Sequence, residues 1–223
     1  MSRSMIFFKY GSAILGILIG LLLTPPVSAE NPRVLVQTTL GKFEVELFVQ
    51  QAPITVANFL RYVQDSRYDG TIFHRVISGF MIQGGGYSPD FTELEEIESI
   101  HNEADNGINN GAGTIAMARM NQIDSAGRQF FINVVDNPRL DHQEDSCTRE
   151  QESQVMQARQ KGLFKPMSCA SFGYAVFGAV VSGMDVVNRI EVVETGQQGS
   201  FGDVPLAPIV VESMKLLPLV SGR

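Results

Sequence analysis

The chain has 223 residues, 44% apolar and 18% charged, which suits one globular domain and excludes a disordered tail or a bundle of membrane spans. Seventeen Lys and Arg stand against 24 Asp and Glu, a net charge of −7, and no basic run offsets it, so no nucleic-acid partner is expected. Two cysteines leave room for one disulfide and exclude a disulfide-dense mini-scaffold.

In chain order, the first segment reads as a leader. Arg3 and Lys9 precede an apolar run over 11–23, and Val27 and Ala29 occupy the −3 and −1 positions of a cleavage site. This predicts a signal peptide over 1–29 and a mature domain over 30–223. Thirteen apolar residues at about 1.5 Å each reach roughly 20 Å, short of a hydrocarbon core of about 30 Å. Without the leader the net charge is −9, so no stable membrane association is expected after cleavage. Export also places both cysteines where pairing is the default.

Strand-like segments then dominate. Residues 34–38 meet 43–47 across a short turn, and the second run alternates apolar and acidic residues, the mark of a half-buried strand. Further strands are predicted over 72–77, 81–83, 114–118, 130–134, 175–180 and 210–217. Pro53 opens a predicted helix with Val56, Phe59, Leu60 and Val63 on one face. Ser182 is the expected cap of a second, with Met184, Val187 and Ile190 on one side. Eight strands and two helices predict a mainly β fold, a closed eight-stranded antiparallel barrel capped by the helices. Residues 142–171 break the rhythm as a polar, partly helical insertion, helix-prone over 148–161. Cys147 and Cys169 both lie inside it and are expected to form a disulfide.

Conventional catalytic groupings are missing. The three histidines, His74, His101 and His142, include no i,i+4 pair, the cysteines lie 22 positions apart, and no metal site is expected. No Gly-x-Ser-x-Gly elbow occurs. Gly84-Gly85-Gly86 lacks a phosphate-loop ending and reads as close packing or a positive φ.

The informative stretch is Phe73-His74-Arg75-Val76-Ile77-Ser78-Gly79-Phe80-Met81-Ile82-Gln83-Gly84-Gly85. It resembles the active-site strand of the cyclophilin family of peptidyl-prolyl isomerases. The likeness continues through Asn102-Glu103-Ala104-Asp105-Asn106-Gly107, Gly113-Thr114-Ile115-Ala116-Met117-Ala118-Arg119, Gln129-Phe130-Phe131-Ile132-Asn133, Leu140-Asp141 and Phe172-Gly173-Tyr174-Ala175-Val176-Phe177-Gly178. It covers roughly 33–217 and is most marked towards the periplasmic members of Gram-negative bacteria.

The resemblance implies a cofactor-free isomerase acting on proline-containing polypeptides during the folding of exported proteins, in the periplasm and as a monomer. It implies that Arg75 is the catalytic guanidinium, assisted by Gln83. Phe80, Met81, Phe131 and Leu140 would receive the proline ring. Gln83, Ala118, Arg119 and Gln129 would line the peptide groove, Arg119 through its main chain, with Tyr174 beside them. His74 is expected to be a hydrogen-bonded structural residue. A proline-peptide-binding chaperone module without turnover is the competing reading. Two positions depart from the best-known eukaryotic pattern: Arg139 stands where that pattern has a rim tryptophan, and Tyr174 where it has a histidine. Weak cyclosporin binding follows from the first. Because the insertion leaves the domain just after Leu140, it is also expected to overhang the proline pocket.

Overall fold

A computed structural model describes residues 31–143, 147–163 and 168–218. The predicted signal peptide over 1–29 lies outside the described residues. Strands β1 (Arg33–Thr38) and β2 (Gly41–Leu47) form a hairpin in which Val34, Val36, Phe43, Val45 and Leu47 all turn inward. Six further strands follow: β3 (Phe73–Ile77), β4 (Met81–Gly84), β5 (Thr114–Met117), β6 (Phe130–Asn133), β7 (Val176–Ser182) and, at the end of the chain, β10 (Val211–Leu216). All pair antiparallel in one sheet of order β10-β1-β2-β7-β5-β6-β4-β3, which curls into a half-barrel. Its two outer strands approach each other just ahead of β3 and β10. There Ile72 bridges Val210, and the Phe73 N–H donates to the Ile209 carbonyl at 3.0 Å.

Helix α1 (Pro53–Gln64) turns Val56, Phe59, Tyr62 and Val63 into the core, while Leu60 is only partly buried. No side chain at Ala52 caps it. Glu103, far along the chain, accepts from the N–H groups of Ile54 and Thr55 at 3.1 and 2.8 Å, placing a negative charge at the helix's positive end. Helix α3 (Met184–Glu191) packs against β2, β3 and β4. Its cap is Gly183, at φ 78°, and not the expected Ser182, which is the last residue of β7 and pairs with Glu44. A Cβ at Gly183 would lie 2.5 Å from the Lys42 carbonyl oxygen, so the turn into α3 needs glycine twice over, for its φ and for its space. Between the helices and the sheet, Phe59, Tyr68, Phe73, Phe130 and Phe177 meet ring to ring at 5.1–6.0 Å.

The insertion carries a third helix, α2 (Arg149–Gln160), opened by a capping box between Thr148 and Gln151. The Cys147–Cys169 disulfide is present. The described residues of the insertion are fastened to the 101–124 loop. Arg159 reaches across to Asp124 at 2.7 Å, and Val155 packs in a small core with Ala104, Ile123, Phe172 and the two cysteines.

A further hairpin, β8 (Thr195–Gln198) and β9 (Phe201–Pro205), forms a separate two-stranded sheet that sequence reading missed. β8 is largely exposed, β9 buries Val204 and Pro205, and neither carries an alternating apolar pattern.

Candidate active site

The site lies on the outward face of the half-barrel. Strand register sets it: Arg75 on β3 stands opposite Gln83 on β4, and Gln83 opposite Phe131 on β6. Because side chains alternate across a strand, these three share one face, with Met81 two residues along it. That face carries an apolar cluster of its own, separate from the main core. Met81, Ala116, Phe131 and Val176 are buried in it, with Phe80, Ala118, Leu140 and Tyr174 packed around them.

A recess of about 250 Å³ opens above this cluster, lined by Arg75, Phe80, Met81, Gln83, Ala118, Arg119, Phe131, Leu140 and Tyr174. Nine of the ten residues assigned to the site from sequence therefore meet around one cavity. The tenth, Gln129, lines an adjoining cavity of about 680 Å³ that shares Arg75, Gln83, Ala118 and Arg119 with the first. Gln83 and Gln129 are joined by a hydrogen bond, Gln83 Nε2 donating to Gln129 Oε1 at 2.9 Å. Gln129 has room because Gly86 lies beneath it: a Cβ there would meet the Gln129 side chain at 2.6 Å.

The rim is held by backbone hydrogen bonds. Asn137 donates to the Phe80 carbonyl at 2.9 Å, and the Tyr174 N–H donates to the Leu140 carbonyl at 2.9 Å. A one-turn 3-10 segment, Pro138–Leu140, projects Arg139 so that its guanidinium lies 4.4 Å from the centre of the Phe80 ring. Phe131 and Tyr174 meet edge to face at 5.6 Å.

The two cations of the recess differ in their surroundings. Arg119 lies over the Tyr174 ring, and its Nε and Nη2 donate to the carbonyls of Gly173 and Cys169 at 2.8 and 3.0 Å. Its guanidinium is thus built into the wall, bonded to the foot of the insertion. The Arg75 side chain is 43% exposed, and its Nε stands 3.8 Å from Asp203 Oδ2 on β9.

His74 faces away from the recess. It is buried, its ring packs on Tyr87 at 4.7 Å, and Nδ1 has no hydrogen-bond partner among the described residues, so its expected bonding is not seen at that atom. Burial, with the neighbouring Arg75 charge adding to it, lowers its pKa from 6.5 to about 4. As pH falls, the unfolded chain therefore binds this proton before the folded one does. The stability His74 contributes is complete above pH 6.5 and is lost progressively towards pH 4. At pH 4.5 that loss is expected to be on the order of 2–3 kcal/mol, against none from a glutamine at this position. Urea unfolding of wild type and His74→Gln at pH 7 and 4.5 measures it; equal pH responses would contradict it.

Fold and recess together define a mainly β protein with a small apolar pocket beside an arginine. Residues 33–216 match the sequence model of the cyclophilin type peptidyl-prolyl cis-trans isomerases. A peptidyl-prolyl cis-trans isomerase of Streptomyces antibioticus is 46% identical over 180 residues, covering 81% of this chain and 95% of its own. Peptidyl-prolyl cis-trans isomerase A of Dickeya dadantii is 44% identical over 187 residues, covering 84% and 85%. Among solved structures, a cyclophilin type isomerase of Cryptosporidium parvum shares the fold with a TM-score of 0.60 at 22% identity, over 84% of this chain and 98% of that one. The chain belongs to the cyclophilin family, and its activity is peptidyl-prolyl cis-trans isomerisation.

Proposed function

We propose that Arg75 drives the rotation by donating a hydrogen bond to the prolyl nitrogen of a proline ring held in the 250 Å³ recess. The observation that carries this is the β3–β4 register, which sets Arg75 and Gln83 side by side at the mouth of an apolar pocket. A peptide C–N bond resists rotation by about 18–20 kcal/mol because resonance gives it double-bond character. In the twisted state the nitrogen lone pair is released and can accept from a guanidinium, so the bond strengthens in the transition state and not in the ground state. Phe80, Met81, Phe131 and Leu140 hold the ring and exclude water, which strengthens that one polar contact. Gln83, fixed by Gln129, offers its amide to the peptide backbone, and Ala118 and Arg119 present main-chain groups beside Tyr174. A related C. parvum structure was determined in the presence of the dipeptide Ala-Pro, which agrees with a proline-containing substrate.

The same reading includes export through the 1–29 signal peptide, work on exported polypeptides in the periplasm, and a monomer whose sheet closes into a barrel, a closure that the Ile72–Val210 bridge supports. N-terminal sequencing of periplasmic protein is expected to begin at Glu30.

A charge-assisted hydrogen bond contributes about 1.5–3 kcal/mol, which is roughly ten- to a hundredfold in rate. Arg75→Ala is therefore expected to lower kcat/KM on a short X-Pro peptide by that factor. Being half exposed, the side chain contributes little to stability, and the melting temperature should hold within about 2 °C. Wild-type turnover by the folded variant would refute the assigned role.

A further inference from the structure

The β8–β9 hairpin takes no part in the eight-stranded sheet, yet it is fixed against β3. Its seat is aromatic. Phe201 meets Tyr87 at 5.1 Å and Phe91 at 5.4 Å, and Tyr87 in turn packs on His74, the residue before Arg75. Two residues beyond Phe201, Asp203 occupies the left-handed region at φ 57°, a conformation that is uncommon for a residue with a side chain. That backbone places its carboxylate 3.8 Å from the Arg75 Nε. Asp203 lines the larger cavity and not the recess, whereas Arg75 lines both. The carboxylate thus approaches the guanidinium from the side of the larger cavity.

We infer that Asp203 is a positioning residue for Arg75, anchoring the guanidinium from that side so that its other donors face the prolyl nitrogen; this rests on the catalytic reading of Arg75. An arginine has many rotamers, and a half-exposed one spends much of its time out of line unless something selects its orientation. A pair whose side chains are 43% and 48% exposed adds little to stability, so its effect falls on orientation. The gain appears when the twisted bond must find the donor already in place.

The test is Asp203→Asn, which keeps the shape and tolerates the positive φ. On an X-Pro peptide it is expected to lower kcat three- to tenfold, with KM and melting temperature unchanged, and to shift the Arg75 Nε–H resonance. Salt should lower wild-type kcat towards the variant's value, because ions screen an exposed pair. On an Arg75→Ala background the same substitution should change nothing further. Full turnover by Asp203→Asn beside an impaired Arg75→Ala overturns the positioning role and leaves Arg75 catalytic. An equal loss on the Arg75→Ala background assigns the effect to the hairpin's structure and also overturns it. If Arg75→Ala itself keeps full turnover, both readings fall.

Discussion

Cyclosporin is expected to inhibit this isomerase roughly thirty- to a thousandfold more weakly than it inhibits family members with a tryptophan on the pocket rim. At that position stands Arg139, exposed on the 3-10 turn with its guanidinium over the Phe80 ring. A tryptophan there offers a flat apolar face and an indole N–H, whereas a guanidinium so placed keeps its plane for Phe80 and its donors for water. Losing one aromatic contact and its hydrogen bond in a hot spot costs about 2–4 kcal/mol, the source of that factor. A proline ring held as proposed would meet the inner floor of Met81 and Phe131, which Arg139 does not form, so turnover of a short peptide should persist. Arg139→Trp is expected to recover part of the sensitivity, read as the inhibition constant in the peptide assay. Nanomolar inhibition of the unmodified protein would contradict the rim assignment.

Replacing Asp124 by alanine is expected to destabilise the fold by about 3–5 kcal/mol, the usual result of removing one partner of a buried ion pair. The Asp124 side chain is 2% exposed. One oxygen accepts from Arg159 at 2.7 Å and from the Asn102 N–H at 2.9 Å, and the other faces His101 Nδ1 at 3.1 Å. Alanine would strand the Arg159 guanidinium, itself largely covered, and leave the Asn102 amide without its acceptor. Burial works to raise the Asp124 pKa, but these hydrogen bonds and the Arg159 charge outweigh it and hold the carboxyl below its ordinary value. Its contribution is therefore full above the unfolded carboxylate pKa and is lost as pH falls through the lower, folded one. Urea unfolding at neutral pH measures the cost, and a loss under about 1 kcal/mol would show that α2 is not anchored here. The recess would feel the change, because Asn102 and Arg119 both donate to the Gly173 carbonyl.

That connection was not legible in the sequence. A polar insertion and a disulfide could be read from composition and compartment, but its direction could not. Leaving just after Leu140 places the segment near the recess, and Arg159 then carries it to a carboxylate 35 residues earlier in the chain. Spacing holds no record of such a reach. The helix caps failed for a similar reason. Ser182 has the right chemistry for a cap, but pairing with Glu44 kept it in β7, and the amides at the start of α1 found Glu103 instead of a neighbour.

By itself, the sequence determined what local pattern encodes. Apolar strand-like runs, alternating at period two in β2, marked all eight strands of the half-barrel, three- and four-residue spacing marked α1 and α3, and the motif around Arg75 with those after it named the residues of the recess. These succeed because a side chain's face on a strand or helix depends only on its position in that element. Tertiary structure alone decided how elements without such a pattern are used. The β8–β9 hairpin exposes most of β8, and β9 buries only Val204 and Pro205 side by side, so neither strand alternates in a way that would announce it. What fixes it is the meeting of Phe201 with Tyr87 and Phe91, residues more than a hundred positions away, and that meeting sets Asp203 beside Arg75. A contact of that kind exists only once the chain has closed on itself.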